Sequence, residues 1–165
     1  MTPRREPFHG PPMQLGPIIK SVLGNPDSLR CLQVGRDRGE SVASLLKILP
    51  KTKVKVMVWG DGPADAFKGA EVEQCDIYKV KLAREWELVI IPSEINEFVM
   101  CFYMAAEEML VEGGYIVVVG QETGPDREWL FESMISEKKM APYGCRDKRS
   151  LSLFRCDSGK LTREL

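Results

Sequence analysis

Histidine is almost missing from this chain. His9 is the only one among 165 residues, and it lies in a leader rich in proline and glycine. One imidazole so placed nearly excludes histidine-based metal sites and Ser-His-Asp or Cys-His catalysis within the chain. Paired cysteines are lacking as well. Cys31, Cys75, Cys101, Cys145 and Cys156 are odd in number and include no CxxC pair, so they read as buried free thiols in a reduced, intracellular (cytoplasmic) setting. Nor is there an excess of charge of one sign. A formal net charge of −1 offers no bulk field to gather nucleic acid or an anionic membrane. The one dense basic group, Lys138, Lys139, Arg146, Lys148 and Arg149, reads as a solvated face. The sequence shows no signal-peptide core, no apolar run long enough to span a membrane, and no internal repeat.

What remains is ordinary for a globular domain: 44% hydrophobic and 28% charged residues. A chain of this length makes one domain that buries about two-thirds of its unfolded surface. Residues 1–16 carry four prolines and read as a flexible arm, 17–156 as an α/β domain, and 157–165 as a polar C-terminal tail. Pro17–Leu23 fits a short helix with proline in its first turn, stopped by Gly24-Asn25-Pro26. Strands are expected at Leu29–Val34, Val54–Trp59, Glu71–Cys75, Glu87–Ile91 and Tyr115–Val119, with Ser150–Arg155 as a half-buried final strand. Helices are expected at Glu40–Leu49, Ala64–Gly69, Phe98–Leu110 and Asp126–Glu137, the last with Trp129, Leu130, Met134 and Ile135 facing inward. Glu112-Gly113-Gly114 reads as the turn into the fifth strand. Strands and helices alternate, and several strands are apolar throughout. That pattern predicts a doubly wound, mostly parallel sheet with helices on both faces.

Ligands of such sheets sit beyond the carboxyl ends of the strands. The residues to examine are therefore Gln33–Gly39, Gly60–Asp61, Asp76, Pro92–Glu94 and Gly120–Glu122. The first group is the most informative. Cys31-Leu32-Gln33-Val34-Gly35-Arg36-Asp37-Arg38-Gly39-Glu40-Ser41 is a strand, a glycine-bearing turn and the start of a helix, an arrangement that presents backbone N–H groups to a polar or acidic ligand.

Read in order, these strand-end residues resemble the class I S-adenosylmethionine-dependent methyltransferases over roughly Ser28–Cys156. Gln33–Gly39 resembles the family's first motif. Asp61 is similar to the acid that holds the ribose hydroxyls. Cys75-Asp76-Ile77 resembles the motif framing the adenine, and Glu87–Ile91 with Pro92 resembles the fourth strand. Met109–Val119, through Gly113-Gly114, resembles the helix, turn and fifth strand. The form Val-Gly-x-x-x-Gly-Glu-Ser and the closing Ser150–Arg155 look most like the small-molecule O-methyltransferase branch. The resemblance implies a single-domain, seven-stranded methyltransferase-like Rossmann sheet and S-adenosylmethionine as cofactor. It places that cofactor on Gln33, Gly35, Arg36, Asp37, Gly39, Asp61, Asp76, Ile77 and Pro92. No metal site is expected, because Pro92 stands where that branch often carries a metal-binding acid.

The chain departs from the family's pattern at three places. Gln33 replaces the acid that meets the methionine ammonium, weakening that bond by about 1–2 kcal/mol. Asp37 stands at the middle glycine. Pro92 stands where an acid would bind metal or orient the acceptor. Glu94 is the catalytic candidate, a carboxylate where an acceptor would lie. The competing reading makes Ser93 a helix N-cap and Glu94 a first-turn residue. Asp61 has an alternative as a turn residue bonded to its own backbone, and Asp76 as a solvated strand-end residue. Trp59 either edges the cofactor or fills the core, whereas Met100, Met104 and Met109 read as core. The function expected is methyl transfer to an unidentified small-molecule or protein acceptor. The alternative is an inactive methyltransferase-like binding or assembly module. Acceptor recognition would fall to the arm, the short loops or a partner subunit, and a homo-oligomer fits equally. A nicotinamide-dependent enzyme is disfavoured, because Asp37 sits where the second glycine of Gly-x-Gly-x-x-Gly belongs.

Overall fold

In the computed structural model, residues 15–24, 26, 29–60, 62, 66–120, 125–142 and 151–164 are described. Helix α1 (Leu15–Leu23) leads into strand β1 (Arg30–Val34), helix α2 (Glu40–Ile48), and strands β2 (Lys53–Val58), β3 (Glu71–Gln74) and β4 (Trp86–Pro92). Helix α3 (Phe98–Met104) passes into a π-helical turn (Ala105–Met109), and strand β5 (Leu110–Val119), helix α4 (Pro125–Ser136) and strands β6 (Leu151–Asp157) and β7 (Lys160–Arg163) complete the chain. The seven strands form one sheet in the order β3-β2-β1-β4-β5-β6-β7. The first five run parallel, and β6 pairs antiparallel with both β5 and β7.

The continuous apolar strands serve two cores. Successive side chains of a strand point to opposite faces. Cys31, Leu88, Ile90, Tyr115, Val117 and Leu153 therefore pack on one side with Leu15, Ile19, Val42 and Leu45 of α1 and α2. Leu32, Val89, Ile91, Ile116, Val118 and Phe154 pack on the other with Phe98, Phe102, Leu130 and Met134. An aromatic cluster centres this second core: the Phe102 ring lies 5.4 Å from those of both Phe131 and Phe154. α1 approaches α2 closely at Gly16, where a Cβ would fall 2.3 Å from the Ser44 carbonyl oxygen. The Gly16 N–H donates to Ser44 Oγ at 3.0 Å.

Several sequence expectations are corrected here. The arm was drawn to residue 16, yet Leu15 and Gly16 already belong to α1 and are buried; residues 1–14, His9 among them, lie outside the described residues. The 157–165 segment, expected to be a polar tail, carries β7, with Leu161 only 1% exposed. β6 is consequently not the final strand. Ser158 (φ 53°) and Gly159 (φ 78°) both take positive φ, forming the two-residue turn that matches strand twist. The expected turn at Glu112-Gly113-Gly114 lies inside β5 as a bulge, between the pairs Trp86–Leu110 and Leu88–Tyr115. From that bulge Glu112 accepts a bond from the Ser158 N–H at 2.9 Å, anchoring the β6–β7 turn. Trp129 faces out, 58% exposed, and Phe131 takes its inward place beside Leu130 and Met134. Of the helix expected over 64–69, residues 66–69 form a turn and 63–65 lie outside the described residues.

No helix among the described residues is long and apolar enough to cross a membrane. If β7 is integral to the second core, Leu161→Ala will cost about 2–5 kcal/mol, read as a lower urea midpoint at unchanged slope. A cost below about 0.5 kcal/mol would make β7 an appendage.

Candidate functional site

The strand order reverses between β1 and β4, and ligands of open α/β sheets bind at such a point. The turn leaving β1 is built around one carboxylate. Asp37 Oδ1 accepts from the Gly39 N–H at 2.8 Å and from Gln33 Nε2 at 3.2 Å, while Asp37 Oδ2 accepts from Ser41 Oγ at 2.6 Å. Gln33 is fully buried and also donates to the Gly35 carbonyl at 3.0 Å. Its Oε1 is buried with no hydrogen-bond partner. Glu40 adds a further tie, accepting from the Arg38 N–H at 2.8 Å.

Two glycines make this turn possible. Gly39 (φ 93°) caps α2, and a Cβ there would meet the Ala66 carbonyl oxygen at 2.0 Å. Gly35 (φ 98°) donates its N–H to the Met57 carbonyl at 2.9 Å. The space a side chain at 35 would take is held by Ile95, 3.0 Å from that Cβ position, and by the edge of Trp59 at 3.5 Å. Trp59 is fixed in turn by a bond from its indole N–H to Glu97 Oε1 at 3.1 Å. Arg36 folds sideways, donating to the Gly62 carbonyl at 3.2 Å.

The remaining candidates are spread around the strand ends. Asp76 is exposed and accepts from the Tyr78 N–H at 3.0 Å, an Asx turn satisfied by its own backbone. Ile77 is 3% exposed and packs in the second core with Val34 and Met57. Pro92 is buried at the end of β4, paired with Val119. Asp61 lies outside the described residues. Glu94 is exposed, and the Ser93 N-cap reading fails because α3 begins only at Phe98, with Glu97 before it. Ser93 is instead buried, with its N–H on the Val119 carbonyl at 2.8 Å. The structure thus brings Gln33, Gly35, Asp37 and Gly39 together, and it leaves Asp76 and Glu94 in separate, solvated turns.

Three contributors escaped the sequence reading. Ser41 was visible in the Gly-Glu-Ser run but had no assigned role. Ile95 and Glu97 reach the site through a turn that helix-cap reasoning had placed differently. Burial holds the thiols protonated: it pushes Cys101 up to about 12 and raises Cys31 further. Cys75 and Cys156 are also raised, burial again being the largest cause. No group of three or more potential metal ligands occurs among the described residues.

This architecture matches solved structures. A predicted O-methyltransferase from Agrobacterium tumefaciens superposes with a TM-score of 0.56 at 13% identity, over 86% of this chain and 78% of that one. A candidate O-methyltransferase from Nostoc punctiforme gives 0.53 at 13% identity, over 86% and 57%. The chain has the class I methyltransferase fold. No protein-family model and no curated protein matches it by sequence. The chain spans 64%, 44% and 42% of three further structures it matches. The integrity of the β1–α2 turn depends on Gly39. Gly39→Ala is expected to cost about 1–3 kcal/mol from the backbone conformation alone, measured by urea unfolding. A change within about 0.5 kcal/mol would show that neither the left-handed backbone nor the Ala66 carbonyl constrains position 39.

Proposed function

We propose that this chain is an S-adenosylmethionine-binding protein of the methyltransferase fold that transfers a methyl group to an acceptor not yet identified. The observation that carries the reading is the donor and acceptor set at the β1–α2 turn. Gln33 Oε1 is a buried acceptor lacking a donor, which suits a ligand ammonium. Ser41 Oγ and the Gly39 N–H, at the N-terminal end of α2, suit a carboxylate. Both already hold the Asp37 carboxylate, so the set fits the amino-acid end of the cofactor once Asp37 moves aside. Asp61, by its position after β2, is assigned the ribose hydroxyls as part of the same proposal.

When bound, S-adenosylmethionine supplies a sulfonium methyl that leaves by in-line displacement. The chain's part is to align and to exclude water. Gln33 and Ser41 orient the amino-acid end, while Ile95 and Trp59 form an apolar wall beside Gly35. Pro92 offers no proton acceptor, and Glu94 is exposed to solvent. The acceptor is therefore expected to be nucleophilic in its own right or to use Glu94 as base from the turn after β4. Recognition of that acceptor is proposed to involve the loops around 92–97 and 120–126, the N-terminal arm, or a second subunit.

A second reading, a catalytically silent module that keeps the fold for binding or assembly, is favoured by the Asp37 carboxylate seated on the turn's own donors. Calorimetry with S-adenosylhomocysteine separates the two. Saturable binding with Kd below about 1 mM, weakened about 5- to 10-fold by Ser41→Ala, supports the first. No heat with either S-adenosylhomocysteine or 5′-methylthioadenosine at millimolar concentration in either protein leaves only the second.

A further inference from the structure

The Asp37 carboxylate holds the donors that the proposed function assigns to a ligand carboxylate. Its two oxygens take the Gly39 N–H and the Ser41 hydroxyl, at 2.8 and 2.6 Å, which are the donors nearest the start of α2. α2 is a nine-residue helix, and its cap Gly39 supplies no side chain of its own. The partial positive charge of this terminus is therefore already met by a carboxylate from within the chain. A second carboxylate brought to the same donors would face a like charge at hydrogen-bond distance. The buried Gln33 amide adds a second polar group whose bonding is incomplete. Its Nε2 is bonded to Gly35 and Asp37, and its Oε1 stays buried without a donor. An unpaired acceptor on Gln33 thus lies close to donors that Asp37 already holds.

We propose that Asp37 is an internal occupant of the carboxylate subsite and so a specificity-determining residue: it penalises adenosyl ligands that carry a free carboxylate and leaves those without one unaffected. This rests on the adenosyl-binding reading above and refines it. Binding of the intact cofactor requires the Asp37 carboxylate to leave Ser41 and Gly39, which then pass to the ligand. A nucleoside thioether lacking the amino-acid portion asks for no such exchange. Asp37 thereby sets the affinity for cofactor below what the fold would otherwise supply, and keeps the turn intact when no cofactor is present.

The test is a titration of two ligands into three proteins. S-adenosylhomocysteine carries the carboxylate, and 5′-methylthioadenosine lacks the whole amino-acid portion. Each is titrated by calorimetry into the wild-type chain, Asp37→Ala and Asp37→Asn, with circular dichroism to confirm folding. Asp37→Asn keeps the shape of the side chain, so it carries the test if Asp37→Ala fails to fold. The expected result is at least a fivefold tighter Kd for S-adenosylhomocysteine in the variants, with the Kd for 5′-methylthioadenosine unchanged within twofold. Equal changes for both ligands, or no gain for S-adenosylhomocysteine while 5′-methylthioadenosine still binds, would overturn the role of Asp37 and spare the adenosyl-binding reading. Failure of both ligands to bind any of the three proteins would overturn both.

Discussion

One carboxylate organises the turn that leaves the first strand. Asp37 ties the end of β1, through Gln33, to the first turn of α2, through Gly39 and Ser41. A turn of this kind has backbone donors pointing the same way, and left alone they would be exposed dipoles seeking an anion. The chain meets that need from within. The proposed ligand binding follows from the competition this creates: the donors assigned to a ligand carboxylate are donors that Asp37 already holds.

The scaffold around that turn follows from a simpler constraint. Strands buried on both faces must be apolar at every position, and two layers of helix must cover them. The alternation of Leu88, Val89, Ile90 and Ile91 between two cores shows how one short run supplies both. The glycines of the turn follow from crowding. Gly39 admits the Ala66 carbonyl and Gly35 admits Ile95, so a side chain at either position would meet a neighbour.

Sequence patterning revealed the fold well because burial on two faces leaves a long, redundant signal. The five parallel strands and both helical layers are readable from runs such as Val54–Val58 and Tyr115–Val119. The C-terminal hairpin was less legible. Lys160–Arg163 is mostly polar because it pairs at the margin of the sheet, and only Leu161 enters the core. The Ser158-Gly159 pair was the available sign, a turn dipeptide between two segments of alternating polarity. Trp129 misled because helical spacing shows which residues share a face but not how far that face extends.

The site was legible by position and not by partner. Sequence order put Gln33, Gly35, Asp37 and Gly39 on one turn, and they are there. It could not show that Asp37 would bond to Ser41, or that Asp76 would close an Asx turn. Short polar side chains choose between ligand, solvent and their own backbone by local geometry that spacing does not encode. The most direct measurement is a crystal structure of the chain soaked with S-adenosylhomocysteine. The account predicts the ligand carboxylate on Ser41 Oγ and the Gly39 N–H, its ammonium on Gln33 Oε1, and the Asp37 side chain rotated away. A bound ligand with Asp37 still seated on Ser41 and Gly39 would contradict it.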